Sequence, residues 1–132
     1  MNILIDSDQF IFFLRDRPEY IRKLRSLIHR HDVYTSVIVI AELYDGFYRN
    51  PARSKRHIDI FEKLLEGVEV IPVNRVVGIE FGRLRSATYK KGITIDDMDL
   101  LIAATCLVNN CALVTDNIKH FQKIPGLKLF DE

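Results

Sequence analysis

The sequence predicts an α/β fold, with a central parallel sheet of four to five strands flanked by helices. Two patterns carry that expectation. Short, continuous apolar runs alternate with amphipathic stretches of helical length, as strands joined by helical crossovers do. Carboxylates stand at the ends of these runs, where the loops of a parallel sheet gather around a ligand. The 132 residues fit one domain spanning 1–132.

Residues 2–5 are an apolar run closed by Asp6, as suits a buried strand that opens onto a site. Ser7 and Asp8 suit the start of a helix through Phe10, Ile11 and Leu14. Pro18 fits the first turn of a second helix, where Ile21, Leu24, Leu27 and Ile28 follow at helical spacing. Its other face carries Arg22, Lys23, Arg25 and Arg30. Residues 33–37 read as the second strand, and a helix over 38–49 holds Glu42. Pro51 opens the next helix, with Ile58, Phe61, Leu64 and Leu65 as its apolar stripe. Residues 68–73 predict a third strand. Asn74 caps a long helix to about residue 91, with Val77, Phe81 and Leu84 inward, and Gly92 ends it. Asp96 or Asp97 caps a helix over 97–109. Residues 112–115 form the fourth strand, closed by Asp116, and 127–130 add a fifth strand at the edge.

Composition sets bounds on function. Apolar residues make up 48% and charged residues 28%, which excludes a disordered or collagen-like chain. Nineteen Lys and Arg against 18 Asp and Glu give a net charge of +1, so nucleic-acid contact must rest on local placement of charge. No apolar run approaches the ~18 residues that cross a bilayer. The apolar start is stopped at Asp6 with no basic segment before it, so the expected location is the cytoplasm. Cys106 and Cys111 are too few for a disulfide framework or a zinc site and are expected to be buried thiols. His29, His31 and His57 stand among basic residues and read as solvated.

The informative feature is where the acids fall. Asp6 and Asp116 follow the first and fourth strands, and Glu42 lies early in the helix after the second. Asp99 heads a helix face continued by Ile102, Ala103 and Cys106, an apolar stripe that packing alone would not crown with a carboxylate. Brought to one sheet edge, the four would repel one another, and a divalent cation with a taste for oxygen relieves that repulsion. Each acid also has a plainer role open to it. Asp6 or Asp8 can cap a helix, Glu42 can pair with Arg49 or Arg53, Asp96, Asp97 or Asp99 can serve a helix dipole, and Asp116 can form a turn.

Four segments in order resemble the PIN-domain family, and within it the small VapC-type toxins of toxin–antitoxin pairs. They are Ile3-Leu4-Ile5-Asp6-Ser7-Asp8; Thr35-Ser36 leading to Ala41-Glu42-Leu43 and Gly46; Asp99-Leu100-Leu101-Ile102-Ala103-Ala104-Thr105; and Leu113-Val114-Thr115-Asp116-Asn117 closing on Phe121. The resemblance implies a Mg²⁺- or Mn²⁺-dependent endoribonuclease. Asp6 and Asp99 would hold the metal, and Glu42 would ligate a second ion or orient the attacking water. In-line hydrolysis would leave a 5′ phosphate and a 3′ hydroxyl. The family's fourth acid falls at Asn117 or near His120, neither of them a carboxylate here, so Asp116, a water on Asn117, or Asp97 completes the set. Asp8 reads as a helix cap. The resemblance also implies an RNA substrate, a homodimer and a cognate antitoxin laid along a groove. The segment from Arg49 to Arg56 is the best candidate for contact with the RNA backbone. Tyr44, Phe47 and Tyr48 beside it either stack on bases or pack against a protein partner.

Two other readings remain open on the sequence. Asp6-Ser7-Asp8 is also similar to the nucleophile-and-acid pair of haloacid-dehalogenase-like phosphatases, with Asp6 as nucleophile. A non-catalytic PIN domain acting only through a partner is the second.

Overall fold

A computed structural model describes residues 1–131, so the last position of the 1–132 span lies outside it. The elements follow in chain order: β1 (Asn2–Ile5), α1 (Ser7–Leu14), α2 (Pro18–Arg30), β2 (Asp32–Ser36), α3 (Val37–Arg49), α4 (Pro51–Leu64), β3 (Glu69–Ile71), α5 (Arg75–Lys90), α6 (Asp97–Val108), β4 (Ala112–Val114) and α7 (Ile118–Phe121). A single 3₁₀ turn, Leu65–Gly67, joins α4 to β3.

The four strands lie in the order β3-β2-β1-β4 and every pairing is parallel. Ile3, Leu4 and Ile5 of β1 are fully buried. A central strand covered by helices on both faces needs apolar side chains at successive positions, which is why residues 2–5 do not alternate. The strand order reverses beside β1: β2 and β3 step away on one side and β4 returns on the other. In open sheets that reversal opens a crevice past the C-terminal strand ends. Register decides which residues meet there. Ile5 pairs with Val114, and the Asp6 amide donates to the Val114 carbonyl at 3.0 Å, so Asp6 and Thr115 leave the sheet side by side.

The helix boundaries have local causes. Pro18 and Pro51 sit in the first turns of α2 and α4, where a missing N–H costs nothing. Ser36 Oγ accepts from the Ile38 amide at 3.0 Å and Asn74 Oδ1 from the Val77 amide at 3.0 Å. Gly92, at φ +68°, turns the chain out of α5 in the left-handed region that glycine tolerates. α6 buries Leu100, Ile102, Ala103, Ala104, Thr105 and Cys106, so its body is enclosed and its first turn carries the acids.

Four local expectations are corrected. The cap of α1 is Asp6, the plainer role left open to it, and not Ser7 or Asp8, because the Asp6 carboxylate accepts from the Ser7 amide at 2.8 Å. Val37 opens α3 instead of ending β2, since Ser36 takes the capping position. β3 stops at Ile71, where Pro72 has no amide to donate to a ladder. Residues 127–130 make one parallel bridge, Leu113 to Leu129, with two flanking backbone hydrogen bonds, and no fifth strand. Both cysteines are free and buried, as expected. Among the described residues, no helix is long and apolar enough to cross a membrane.

Candidate metal centre

Asp6 is 5% exposed and held at both oxygens. Oδ1 accepts from the Ser7 amide at 2.8 Å and Oδ2 from the Thr115 hydroxyl at 2.7 Å. Burial pushes its carboxyl up to about 6, with the charge of Asp8 adding to the shift and the Thr115 and Ser7 hydrogen bonds opposing it. Glu42 comes from the second turn of α3 and is partly buried. Its Oε1 is enclosed and, among the described residues, accepts no hydrogen bond. Burial, followed by the fields of Asp6, Asp99 and Asp96, raises the Glu42 carboxyl to about 7, and Ser7 offsets only part of this. Asp99, in the first turn of α6, is raised by burial and then by Asp96, while His120 opposes the shift. Its Oδ2 lies 2.9 Å from His120 Nε2.

Asp6, Glu42 and Asp99 thus fall within one another's field. Among the described residues no three ligating side chains form a closed metal cluster. An enclosed carboxylate oxygen with no donor is costly in a fold that serves only itself. The same oxygen suits a hard divalent cation, and so does an all-carboxylate set, from which a bound ion would displace the protons that burial favours on Asp6 and Glu42. The residues fit the group.

Asp116 is placed differently. Its Oδ1 accepts from Gln9 Nε2 at 3.1 Å, and its Oδ2 accepts from the Tyr20 hydroxyl, whose own pKa is pushed up to about 12 by that bond. The Asp116 amide donates to Asp8 Oδ2 at 2.9 Å, and Gln9 Nε2 also reaches Asp8 Oδ1 at 3.0 Å. Asp8, Gln9, Tyr20 and Asp116 therefore fasten the loop after β4 to α1 and α2. Asn117 donates its amide to Thr115 Oγ1 at 3.1 Å. Asp97 is exposed and pairs with Arg85.

The plainer role for Glu42 is not what the fold builds. Arg49 pairs with Asp45 at 3.1 Å instead. Arg53 lines a cavity of about 480 Å³ whose wall also includes Glu42, with Arg15, His57, Leu14 and Phe47. Among the described residues, Arg15 and Arg53 have no carboxylate partner, whereas Arg56 meets Asp16 at 3.7 Å. The aromatic residues divide: Phe47 is buried edge-on against Phe61 at 5.9 Å, Tyr44 donates to Glu62, and Tyr48 is 71% exposed.

Sequence reasoning missed Gln9, Tyr20, Thr115 and the contact of His120 with Asp99. Thr115 was within reach: once β1 pairs with β4, register alone sets it beside Asp6. The other three depend on how α1, α2 and α7 lean on the loop after β4.

Fold and site together define an acid-centred parallel α/β protein with its carboxylates at the strand-order reversal. The PIN-domain family model matches residues 3–127. Ribonuclease VapC2 of Rickettsia felis is 32% identical, over 98% of this chain and 96% of its own length. The tRNA(fMet)-specific endonuclease VapC of Salmonella typhimurium is 26% identical, over 99% of this chain and 98% of its own. A crystal structure of VapBC2 from Rickettsia felis, bound to a DNA fragment from its promoter, superposes with a TM-score of 0.87 at 31% identity, covering 98% of each chain. The chain belongs to the PIN-domain family, among the VapC ribonucleases. That membership accounts for the acid after β1 and sets aside the phosphatase alternative.

Proposed function

We propose that this chain, acting as one PIN domain over 1–132, is the toxin of a type II toxin–antitoxin pair and hydrolyses RNA at a Mg²⁺ or Mn²⁺ centre built on Asp6, Glu42 and Asp99. The enclosed Glu42 oxygen without a donor, set in the field of Asp6 and Asp99, carries this reading. A bound divalent cation supplies a water that is acidic at neutral pH and offsets charge on the phosphate.

The chain's own residues do the rest. Ser7 and Thr115 fix Asp6 in one orientation, so this carboxylate meets a ligand at no further cost in side-chain entropy. Asp99 joins it from the first turn of α6. Glu42 Oε1, with no donor of its own, accepts a hydrogen bond from the attacking water and orients it. Asp116 completes the acidic set from the rim. With both oxygens engaged by Gln9 and Tyr20, it acts by holding the loop that presents Thr115. Arg15 and Arg53 grip the phosphodiester backbone along the cavity wall, offsetting the acids' repulsion of the substrate.

The Salmonella relative's name makes transfer RNA the first substrate class to test, and the Rickettsia VapBC2 complex supports a cognate antitoxin for this chain as well. The protein works in the cytoplasm as a homodimer. The test is cleavage of total RNA with Mg²⁺ or Mn²⁺, with end mapping. Products with a 5′ phosphate, lost with EDTA and with Asp6→Asn, are expected. Cleavage that survives both would contradict the reading.

A further inference from the structure

His120 brings a side-chain nitrogen against a proposed metal ligand, Asp99. It sits in α7, just past the loop that carries Thr115, and its ring lies edge-on to Phe121 at 5.6 Å. Phe121 is fully buried, so one side of the imidazole rests on a fixed support. Nε2 lies 2.9 Å from Asp99 Oδ2. Among the described residues, no other histidine meets a carboxylate at ion-pair distance.

The spacing has a second meaning. Adjacent ligands of an octahedral ion with bonds of ~2.1 Å stand about 3.0 Å apart. An imidazole nitrogen and a carboxylate oxygen held at 2.9 Å therefore match one edge of such an octahedron in length. The other donors gathered here are carboxylates alone, and His120 adds the one nitrogen.

We propose that His120 Nε2 and Asp99 Oδ2 chelate the metal together, and that this nitrogen biases the centre toward first-row transition ions over Mg²⁺. The inference rests on the metal-centre reading above and adds to it a ligand and a selectivity. Mg²⁺ is a hard ion that keeps to oxygen and water, whereas imidazole is a good donor to transition ions. A carboxylate at position 120 would leave an all-oxygen site with no such bias.

Mn²⁺ is the probe. The full chain is loaded with Mn²⁺, uptake is followed by calorimetry, and pulsed electron paramagnetic resonance reads nitrogen coupled to the bound ion. Wild type is expected to show ¹⁴N coupling, replaced by ¹⁵N coupling in protein made with ¹⁵N-histidine. His120→Asp should still take up Mn²⁺ but lose the coupling, and its preference for Mn²⁺ over Mg²⁺ should narrow by roughly tenfold, the scale on which ligand-shell changes act. Mn²⁺ uptake by wild type without nitrogen coupling would overturn the proposal and leave His120 as a neighbour of Asp99 that does not ligate the ion. Coupling that persists in His120→Asp would overturn it in favour of another histidine. No uptake by wild type would bring down the metal-centre reading itself, and this proposal with it.

Discussion

Two neighbouring groups of acids at the same end of the sheet are treated in opposite ways. On the β4 side, Asp8 and Asp116 have their oxygens engaged by Gln9, Tyr20, Thr115 and a backbone amide. On the α3 and α6 side, among the described residues, Glu42 keeps an enclosed oxygen with no donor, and Asp99 lies against His120. Asp6 stands between them, fixed by two hydrogen bonds yet buried enough to hold its proton up to about 6. Where the chain satisfies its own carboxylates it is building a scaffold. Where it leaves one enclosed and unpartnered, it keeps binding capacity for something from outside.

The strongest way to break this contrast is to neutralise Asp6, between the two groups, or Asp99, on the unsatisfied side. Asp6→Asn and Asp99→Asn should each abolish RNA cleavage, exceeding the roughly 10- to 100-fold losses typical of residues behind a ligand. Both should fold, as circular dichroism would show. Full activity in either variant would remove that residue from the site.

The next effect concerns stability and pH. Asp6 and Glu42 are raised to about 6 and about 7 in the folded chain, above the ~4 of an unfolded carboxylate. Between those limits the folded state binds more protons than the unfolded state. The stability these groups contribute is therefore complete below about pH 4 and fades as pH rises through 6 to 7. Metal-free protein should melt at a higher temperature at pH 5 than at pH 8, and Glu42→Gln should flatten that difference. Saturating Mn²⁺ at pH 8 should restore stability by mass action. A wild-type melting curve indifferent to both pH and Mn²⁺ would count against the unsatisfied acids.

Smaller effects sharpen the picture. Arg15→Ala and Arg53→Ala should raise KM for RNA severalfold and weaken its dependence on salt, with Mn²⁺ uptake unchanged. Unchanged KM in both would move the RNA path off the cavity. Asp116→Asn should cost less than Asp6→Asn, since the amide oxygen can still accept from Gln9 while its NH₂ donates to the Tyr20 hydroxyl. Equal losses in cleavage assays would make Asp116 a ligand instead of a support.

Much of this was legible in the sequence, for physical reasons. The unbroken apolar run at Ile3 to Ile5 reports a strand covered on both faces, and Pro18, Pro51, Asn74 and Gly92 mark helix ends by backbone chemistry that context rarely overrides. Asp99 showed itself as a charge on an otherwise buried stripe. Less legible was anything set by the packing of one element on another. The identity of the α1 cap turned on one residue, because Asp6, Ser7 and Asp8 are all capping types. The tail at 127–130 had strand-like residues but met the sheet at one bridge only. The His120 contact with Asp99 needs α7 brought against the start of α6, a proximity that no local pattern encodes.

Divalent-ion uptake by Asp6, Glu42 and Asp99 is the property on which the proposed chemistry depends. Calorimetric titration of the purified chain with Mn²⁺ near pH 6.5, in two buffers of different ionisation heat, tests it most directly. Saturable binding with proton release, absent in Asp6→Asn, is the expected result. No saturable heat in wild type, or equal binding in Asp6→Asn, would contradict it.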